Sequence, residues 1–306
     1  MASKPQEETF TAYTPSQGKA YAEGRQDYHP NLYRTIIEKH TSTGGQLTTL
    51  VDIGCGPGPA TRALAPHFEE TIGLDPSAGM IAAARSLPNL DTIRYEISSA
   101  EELGHDLDPP IPFGSVDLIT AATCAHWFDM PRFWSRAAQM LKPGGSVAIW
   151  TPGMLRVHPS VPNHAAVQKA IDDHEKEYLI PYFAPGNFLV KELYRDLALP
   201  WNLEVPEDAF DEETLFRKEW DWTEDGDAAS EKSLITMEMV EKLMDTASPV
   251  TRWREAHPDL VGTDKDAVKV LVSVIKRPLH EAGVEEGKEV VRAIMGGVLL
   301  VVKKKV

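Results

Sequence analysis

Between residues 50 and 150, short runs of consecutive apolar residues alternate with stretches in which apolar positions recur every three or four residues. The runs fit buried strands and the recurring stretches fit amphipathic helices. This predicts strand 50–54, helix 59–67, strand 71–75, helix 77–86, strands 92–97 and 115–120, helix 131–141 and strand 146–150, with Pro143-Gly144-Gly145 as the stop and turn before the last strand. Such alternation implies a parallel sheet with right-handed crossovers. The first 16 or so residues are polar and expected to be loose, and Tyr21, Arg25, Tyr28 and the Leu32/Ile36/Ile37 face suggest short helices leading into the sheet.

After Trp150 the rhythm breaks. Helices are expected around 165–178 and 187–197, interrupted by Pro181, Pro185 and Pro200; then come strand 215–222, helices 233–246, 249–256 and 265–282, and a last strand 293–303. A hairpin-like pairing of the last two strands would complete the sheet. The fold class expected is α/β: a doubly wound, seven-stranded, mostly parallel sheet with a helical cap inserted after the fifth strand. The domains expected are an N-terminal helical lid (1–45), a nucleoside-binding core (46–150), a cap (151–210) and a C-terminal part (211–306) that completes the sheet and adds cap helices.

The chemistry begins at Val51-Asp52-Ile53-Gly54-Cys55-Gly56-Pro57-Gly58-Pro59 and Gly73-Leu74-Asp75-Pro76-Ser77. A strand, a glycine loop, a helix start and a second strand ending in an acid describe a nucleoside-binding half-sheet. A dinucleotide fingerprint wants G-x-G-x-x-G/A. Here the third small position is Pro59, the glycines fall at alternate positions, and the proline removes an N–H that a phosphate could use. The loop suits a nucleoside without phosphates, of which S-adenosylmethionine is one. D-I-G-C-G-P-G resembles the first motif of class I S-adenosylmethionine-dependent methyltransferases, whose Rossmann-like sheet is the fold expected above. A tight turn with glycines for packing alone is the plain alternative.

Ligands of open α/β sheets sit beyond the carboxyl ends of the strands, where the strand order reverses. At the first end, Asp52 or a loop carbonyl of Gly54, Cys55, Gly56 or Gly58 can hold the ammonium of the methionine moiety. At the second, Asp75 beside Pro76 can accept both ribose hydroxyls, or serve as an acid at a helix N-terminus. At the third, Ser99, Ala100 and Glu101 can address the adenine edge, although Ser99 and Glu102 also spell a helix capping box. Met80 can pack on the nucleoside or be plain core. At the fourth, Thr123-Cys124-Ala125-His126-Trp127-Phe128 places polar and aromatic groups where a transferable methyl would lie.

A-H-W-F-D, with Tyr21/Arg25/Tyr28 upstream and L-K-P-G-G-S-V-A-I-W downstream, resembles the trans-aconitate methyltransferase group, especially its fungal members. The likeness runs over about residues 10–303, with Thr246-Ala247-Ser248-Pro249 and Trp253 as weaker matches. It implies cofactor binding by Asp52, the glycine loop, Asp75, Ala100, Glu101 and the 123–126 strand end, with Tyr21 and Arg25 near the methionine carboxylate. Arg25 stands in R-Q-D-Y-H-P where such proteins carry R-P-x-Y-P, so the rigid turn after it is missing; a surface salt bridge is its alternative.

A carboxylate acceptor is already ionised at pH 7 and needs no base. For a hydroxyl or phenol, His126 is the candidate base; as a neighbour of Trp127 it is equally a wall residue. Arg156, His158 and Arg252 are candidates to pair with a substrate carboxylate. Trp127, Phe128, Trp150, Trp220 and Trp222 would line an apolar pocket or fill core.

Bulk properties narrow the rest. The chain has 306 residues, 42% of them apolar, and a net charge of −15, which excludes a nucleic-acid track as partner. Twelve acids against three bases between Glu204 and Lys232 read as a solvated face, and Lys303 to Lys305 as an exposed end. No run of some 18 apolar residues and no signal-like N-terminus appear, so a cytoplasmic protein without a membrane partner is expected. Cys55 and Cys124 lack metal-ligand spacing and read as packing residues, so no metal is expected. The function expected is methyl transfer from S-adenosylmethionine to a small molecule, at oxygen and on a carboxylate such as trans-aconitate, by a monomer. The rivals are a secondary-metabolite O-, N- or C-methyltransferase, a binding protein without transfer activity, and, weakest, an NAD-dependent oxidoreductase.

Overall fold

A computed structural model describes residues 11, 13–24, 27–221 and 234–306. Ten α-helices and eight strands are assigned among them: α1 (Pro15–Gly24), α2 (Pro30–Thr41), β1 (Thr49–Ile53), α3 (Pro59–Leu64), β2 (Glu70–Asp75), α4 (Ala78–Ser86), β3 (Ile93–Ile97), β4 (Val116–Ala122), α5 (Met130–Met140), β5 (Leu141–Val157), α6 (His164–His174), α7 (Pro185–Lys191), β6 (Phe210–Asp221), β7 (Leu234–Thr236), α8 (Met237–Asp245), α9 (Ser248–Ala256), α10 (Ala267–Glu281) and β8 (Val290–Lys304). Arg25 and Trp222, both singled out from the sequence, lie outside the described residues.

The sheet runs β3-β2-β1-β4-β5-β8-β6, with β7 pairing antiparallel to β8. β1, β2, β3, β4 and β5 pair in parallel, and the order reverses between β1 and β4. The seven-stranded Rossmann-like path is the one expected; the sequence missed only the three-residue β7. The central strands are apolar on both faces because helices cover both: all five residues of β1 are buried. Helix α5 shows why the periodicity was readable. Met130, Phe133, Trp134, Ala137 and Met140, spaced by three and four, are its buried positions, and Asp129 caps its start through the Arg132 N–H.

The chain divides into two compact units. The first holds residues 1–152, 192–219 and 298–306; the second holds 153–191 and 220–297. In the first, the two leading helices are tied down locally. α1 packs on α4 through glycines: a Cβ on Gly79 would lie 2.1 Å from the Tyr13 carbonyl oxygen, and one on Gly18 2.7 Å from that of Gly79. From α2, the fully buried His40 reaches Ser146 Oγ on β5 at 2.9 Å and the Gln46 carbonyl at 2.7 Å. In the second unit, Val167 of α6, Leu271, Ile275 and Leu279 of α10 and Val291 of β8 form one apolar cluster with Met237.

Three expectations are corrected. β5 starts at Leu141 rather than 146: Pro143-Gly144-Gly145 sits inside the strand as a bulge, Val116 pairing with Leu141 and Leu118 with Ser146. The helix expected over 187–197 is α7, ending at Lys191, because Leu193 and Tyr194 turn left-handed at φ 51° and 56°. Lys303 and Lys304 are no exposed end. Lys303 is buried and donates to the His40 carbonyl, and Lys304 donates to the Ala138 and Leu141 carbonyls, neutralising the C-terminus of α5. Only Lys305 of the three is exposed.

Candidate functional site

The glycine loop follows β1, in the first unit. Gly56 has φ 55° and nothing within 4 Å of where a Cβ would stand, so the backbone here is bare and open to a ligand. Gly58, at φ 82°, is needed for another reason: a Cβ would lie 2.3 Å from the Tyr95 hydroxyl. Pro59 then opens α3 as its first residue. Gly54 lies against Cys124, whose thiol donates to the Ile53 carbonyl at 3.1 Å; Cys55 and Cys124 are buried free thiols, pushed up by desolvation.

Asp52 is fully buried beneath this loop. Its carboxylate accepts from the Thr61 hydroxyl of α3 at 2.6 Å and the Thr120 hydroxyl of β4 at 2.7 Å, and so ties the loop's flanks to the switch point. Asp75, at the end of β2, cradles the loop from the other side. One oxygen accepts from Gly56 N–H at 2.9 Å and the other from Ser77 N–H at 2.8 Å, and each keeps a lone pair. Burial pushes both carboxyls up to about 6, against the pull of these donors. Pro76 is exposed beside Asp75, whereas Met80 is buried on α4. Ile97, in register with Asp75 and 48% exposed, is an apolar surface at the end of β3 that the sequence reading did not single out.

After β3 no helix forms, so Ser99 and Glu102 make no capping box: residues 99–103 are a turn, and Glu102 pairs with Arg132 and Arg136. Ala100 is buried. The Glu101 side chain, half-buried, accepts from the Asp129 N–H at 3.0 Å and so joins this turn to the start of α5.

The ends of β4 and β5 bring together the aromatic group. Thr123, left-handed at φ 56°, holds its hydroxyl 2.8 Å from that of Tyr28. Tyr28 and Tyr33 stand edge-on to Trp150 at 5.5 and 6.4 Å. Trp150 is only 1% exposed, and its indole N–H has no hydrogen-bond partner among the described residues. His126 is half-buried, packs on Trp127 at 4.5 Å and meets the Tyr194 hydroxyl through Nδ1 at 2.7 Å. Desolvation lowers His126 to about 3, so it is neutral at pH 7. Tyr194 and Tyr33 carried no motif and were invisible to sequence reading. Tyr21, half-buried on α1, stands edge-on to Tyr13 at 6.4 Å.

Two candidates belong to the second unit and are engaged within it. Arg252 donates to the Tyr182 carbonyl, Asn187 Oδ1 and Ser248 Oγ, and the exposed Arg156 pairs with Asp172 at 3.6 Å. His158 bonds Ser160. Among the described residues no group of three or more His, Cys, Asp or Glu is placed to hold a metal ion, and no helix is long and apolar enough to cross a membrane.

The sheet order, the bare glycine loop and the acid at the end of β2 define a class I S-adenosylmethionine-dependent methyltransferase fold. Residues 51–149 match the family described as methyltransferase domain. Among relatives, a Dictyostelium discoideum protein named as a methyltransferase is 36% identical over 60% of this chain and 64% of its own length. A Saccharomyces cerevisiae protein named as an S-adenosylmethionine-dependent methyltransferase is 34% identical over 42% of this chain and 43% of its own. Trans-aconitate 2-methyltransferase of Deinococcus radiodurans is 38% identical over 41% and 49% respectively. The chain thus spans about half the length of the curated relatives it matches. A solved structure described as a type II methyltransferase from Anaeromyxobacter dehalogenans covers 92% of this chain and 97% of its own at a TM-score of 0.59 and 24% identity, a likeness of fold.

Proposed function

We propose that the chain transfers a methyl group from S-adenosylmethionine to the oxygen of a small carboxylic acid of the trans-aconitate kind. The observation that carries this is His126, desolvated and so a weak base, held by Trp127 and Tyr194 in the first unit that also holds the Tyr28–Thr123 pair, the glycine loop and Asp75. A base near pH 3 is too weak to take a proton from a phenol at neutral pH, whereas a carboxylate arrives without one.

The residues fit the cofactor. Gly56 leaves the space that a side chain would fill, Asp75 keeps lone pairs for vicinal hydroxyls, and Ile97 offers an apolar face for a base. Asp52 is fully buried, so its part is to brace the loop whose carbonyls would receive the ammonium. Two carboxyls raised by burial also favour a cationic ligand, which would draw both back toward ionisation. In this reading Ser99, Ala100 and Glu101 would frame the adenine edge, and Tyr21 would serve the methionine end. When bound, S-adenosylmethionine supplies an electrophilic methyl on sulfur. The chain's task is to align an acceptor oxygen with that carbon at about 3–3.5 Å and to exclude water, which is worth about 7–11 kcal/mol in well-oriented systems. The wall for the acceptor is Trp127, His126 and the Tyr28–Thr123 pair.

With this reading go an N-terminal lid over residues 1–45, a substrate cap over 151–210 and a cytoplasmic, monomeric enzyme. Calorimetry with S-adenosylmethionine, its demethylated product and NAD tests the cofactor: the first two should bind and NAD should not. Binding of NAD alone would sink the reading.

A further inference from the structure

We propose that Arg292 is an anion-binding residue of the second unit and that its ligand is a carboxylate of a small organic acid. The inference goes beyond the methyl-transfer reading and stands without it.

Arg292 is the third residue of β8. Its neighbour Val291 joins the apolar cluster with α6 and α10, and successive side chains of a strand point to opposite faces, so Arg292 lies on the face turned away from that cluster. The strand is covered along both edges here. Leu234 of β7 stands opposite Arg292 in antiparallel register, and the His158 N–H, just past β5, donates to the Arg292 carbonyl at 2.9 Å.

The side chain is half-buried, and its Nε is shut off from solvent without a hydrogen-bond partner. Among the described residues no acid pairs with the guanidinium. An arginine stays charged and carries five donors, and this chain has 46 acids against 31 bases, so an unpaired arginine needs a reason. The reason is its face. Arg156 of β5 and Val290 share that face, and the acids close by are spent elsewhere. Glu289 accepts from His280 at 2.8 Å and from the Gly287 N–H on the cluster side, and Asp172 pairs with Arg156 at 3.6 Å. Arg94 also has an unpartnered Nε, but it stands on the edge strand β3 with Glu96 two residues along the same face.

The neighbouring strand adds a second donor. His158 Nδ1 receives the Ser160 N–H at 3.0 Å and meets the Ser160 hydroxyl at 2.7 Å; a backbone N–H only donates, so in the neutral ring the proton sits on Nε2. One free planar cation matches one carboxylate, whereas a phosphate dianion would ask for a second cation, and Arg156 is engaged. Leu234, half-buried, and Val290, 39% exposed, flank the guanidinium with apolar surface for a carbon skeleton.

Calorimetry on the full chain without cofactor is the test, with trans-aconitate and tricarballylate as acids and inorganic phosphate for comparison. The wild type should bind an acid. Arg292→Gln should lose tenfold or more of that affinity with an unchanged melting temperature, and Arg292→Lys, which keeps the charge without the fork, should lose less. Methyl-transfer kinetics then separate the two sources of the carboxylate: a raised KM for the acid acceptor makes it the acceptor's own, and an unchanged KM assigns it to a second acid. Equal acid affinity in Arg292→Gln and wild type would overturn the proposal, as would phosphate binding more tightly than either acid, or no acid binding at all. Acid binding that depends on Arg292, with no acid methylated, would sink the methyl-transfer reading and leave this site standing.

Discussion

Asp75 carries the sharpest residue-scale expectation. It braces the loop through Gly56 N–H and would also hold the ribose, so Asp75→Ala should weaken S-adenosylmethionine binding by about 1.5–3 kcal/mol, roughly 10- to 150-fold. Unchanged affinity by calorimetry would leave Asp75 a brace only. Its pKa adds a second expectation. Asp52 and Asp75 stand near 6 folded, above about 4 unfolded, so between those values the folded chain binds more protons. Their contribution to stability is therefore greatest below about pH 4, falls as pH rises to about 6 and is then level. Cofactor binding runs the other way, because a cation favours the ionised carboxyls. Affinity should rise about tenfold from pH 5 to pH 7 if Asp75 alone is coupled, and a flat titration would contradict that coupling. At this scale the sequence was legible where chemistry repeats a motif: Asp75 and the three loop glycines stand where the spacing put them. It was silent on Tyr194 and Ile97, whose importance comes from what the fold brings beside them. The motif names the position of Asp52 and not its depth: it is fully buried and accepts from two hydroxyls brought from elsewhere in the chain.

Among the elements, α1 is the one whose docking can be broken most simply. Gly79→Ala puts a methyl into the Tyr13 carbonyl across the α1–α4 contact, and overpacking of this kind costs about 1–3 kcal/mol. The expected readout is faster proteolysis within residues 11–24 with little change elsewhere; a protected α1 would show that the α1–α4 contact absorbs the methyl without coming apart. At the far end of the chain, Lys304→Met should cost about 0.5–2 kcal/mol in chemical denaturation by uncapping α5. Helix periodicity and strand alternation were legible because burial enforces them, as α5 shows. Element ends were less so. The Pro143-Gly144-Gly145 stretch reads as a turn but is absorbed as a bulge into β5, and the polar tail at Lys303–Lys305 reads as solvent-exposed although two of its lysines satisfy carbonyls contributed by distant parts of the chain.

For the whole molecule, the sheet order and its switch point were accessible from the alternation of elements, since right-handed crossovers leave few ways to arrange it. The acceptor was not, because residues 153–191 and 220–297 carry no repeating signal, and the arginines chosen from them, Arg156 and Arg252, are engaged within their own unit. The proposed acceptor is therefore tested by transfer itself. The most direct measurement is transfer of labelled methyl from S-adenosylmethionine at pH 7 to a panel of di- and tricarboxylic acids, phenols and amines, followed by mild alkali. The account predicts label on one or more acids, trans-aconitate among those tested, released by alkali as methanol from an ester. Label confined to a phenol or an amine, stable to alkali, would contradict it.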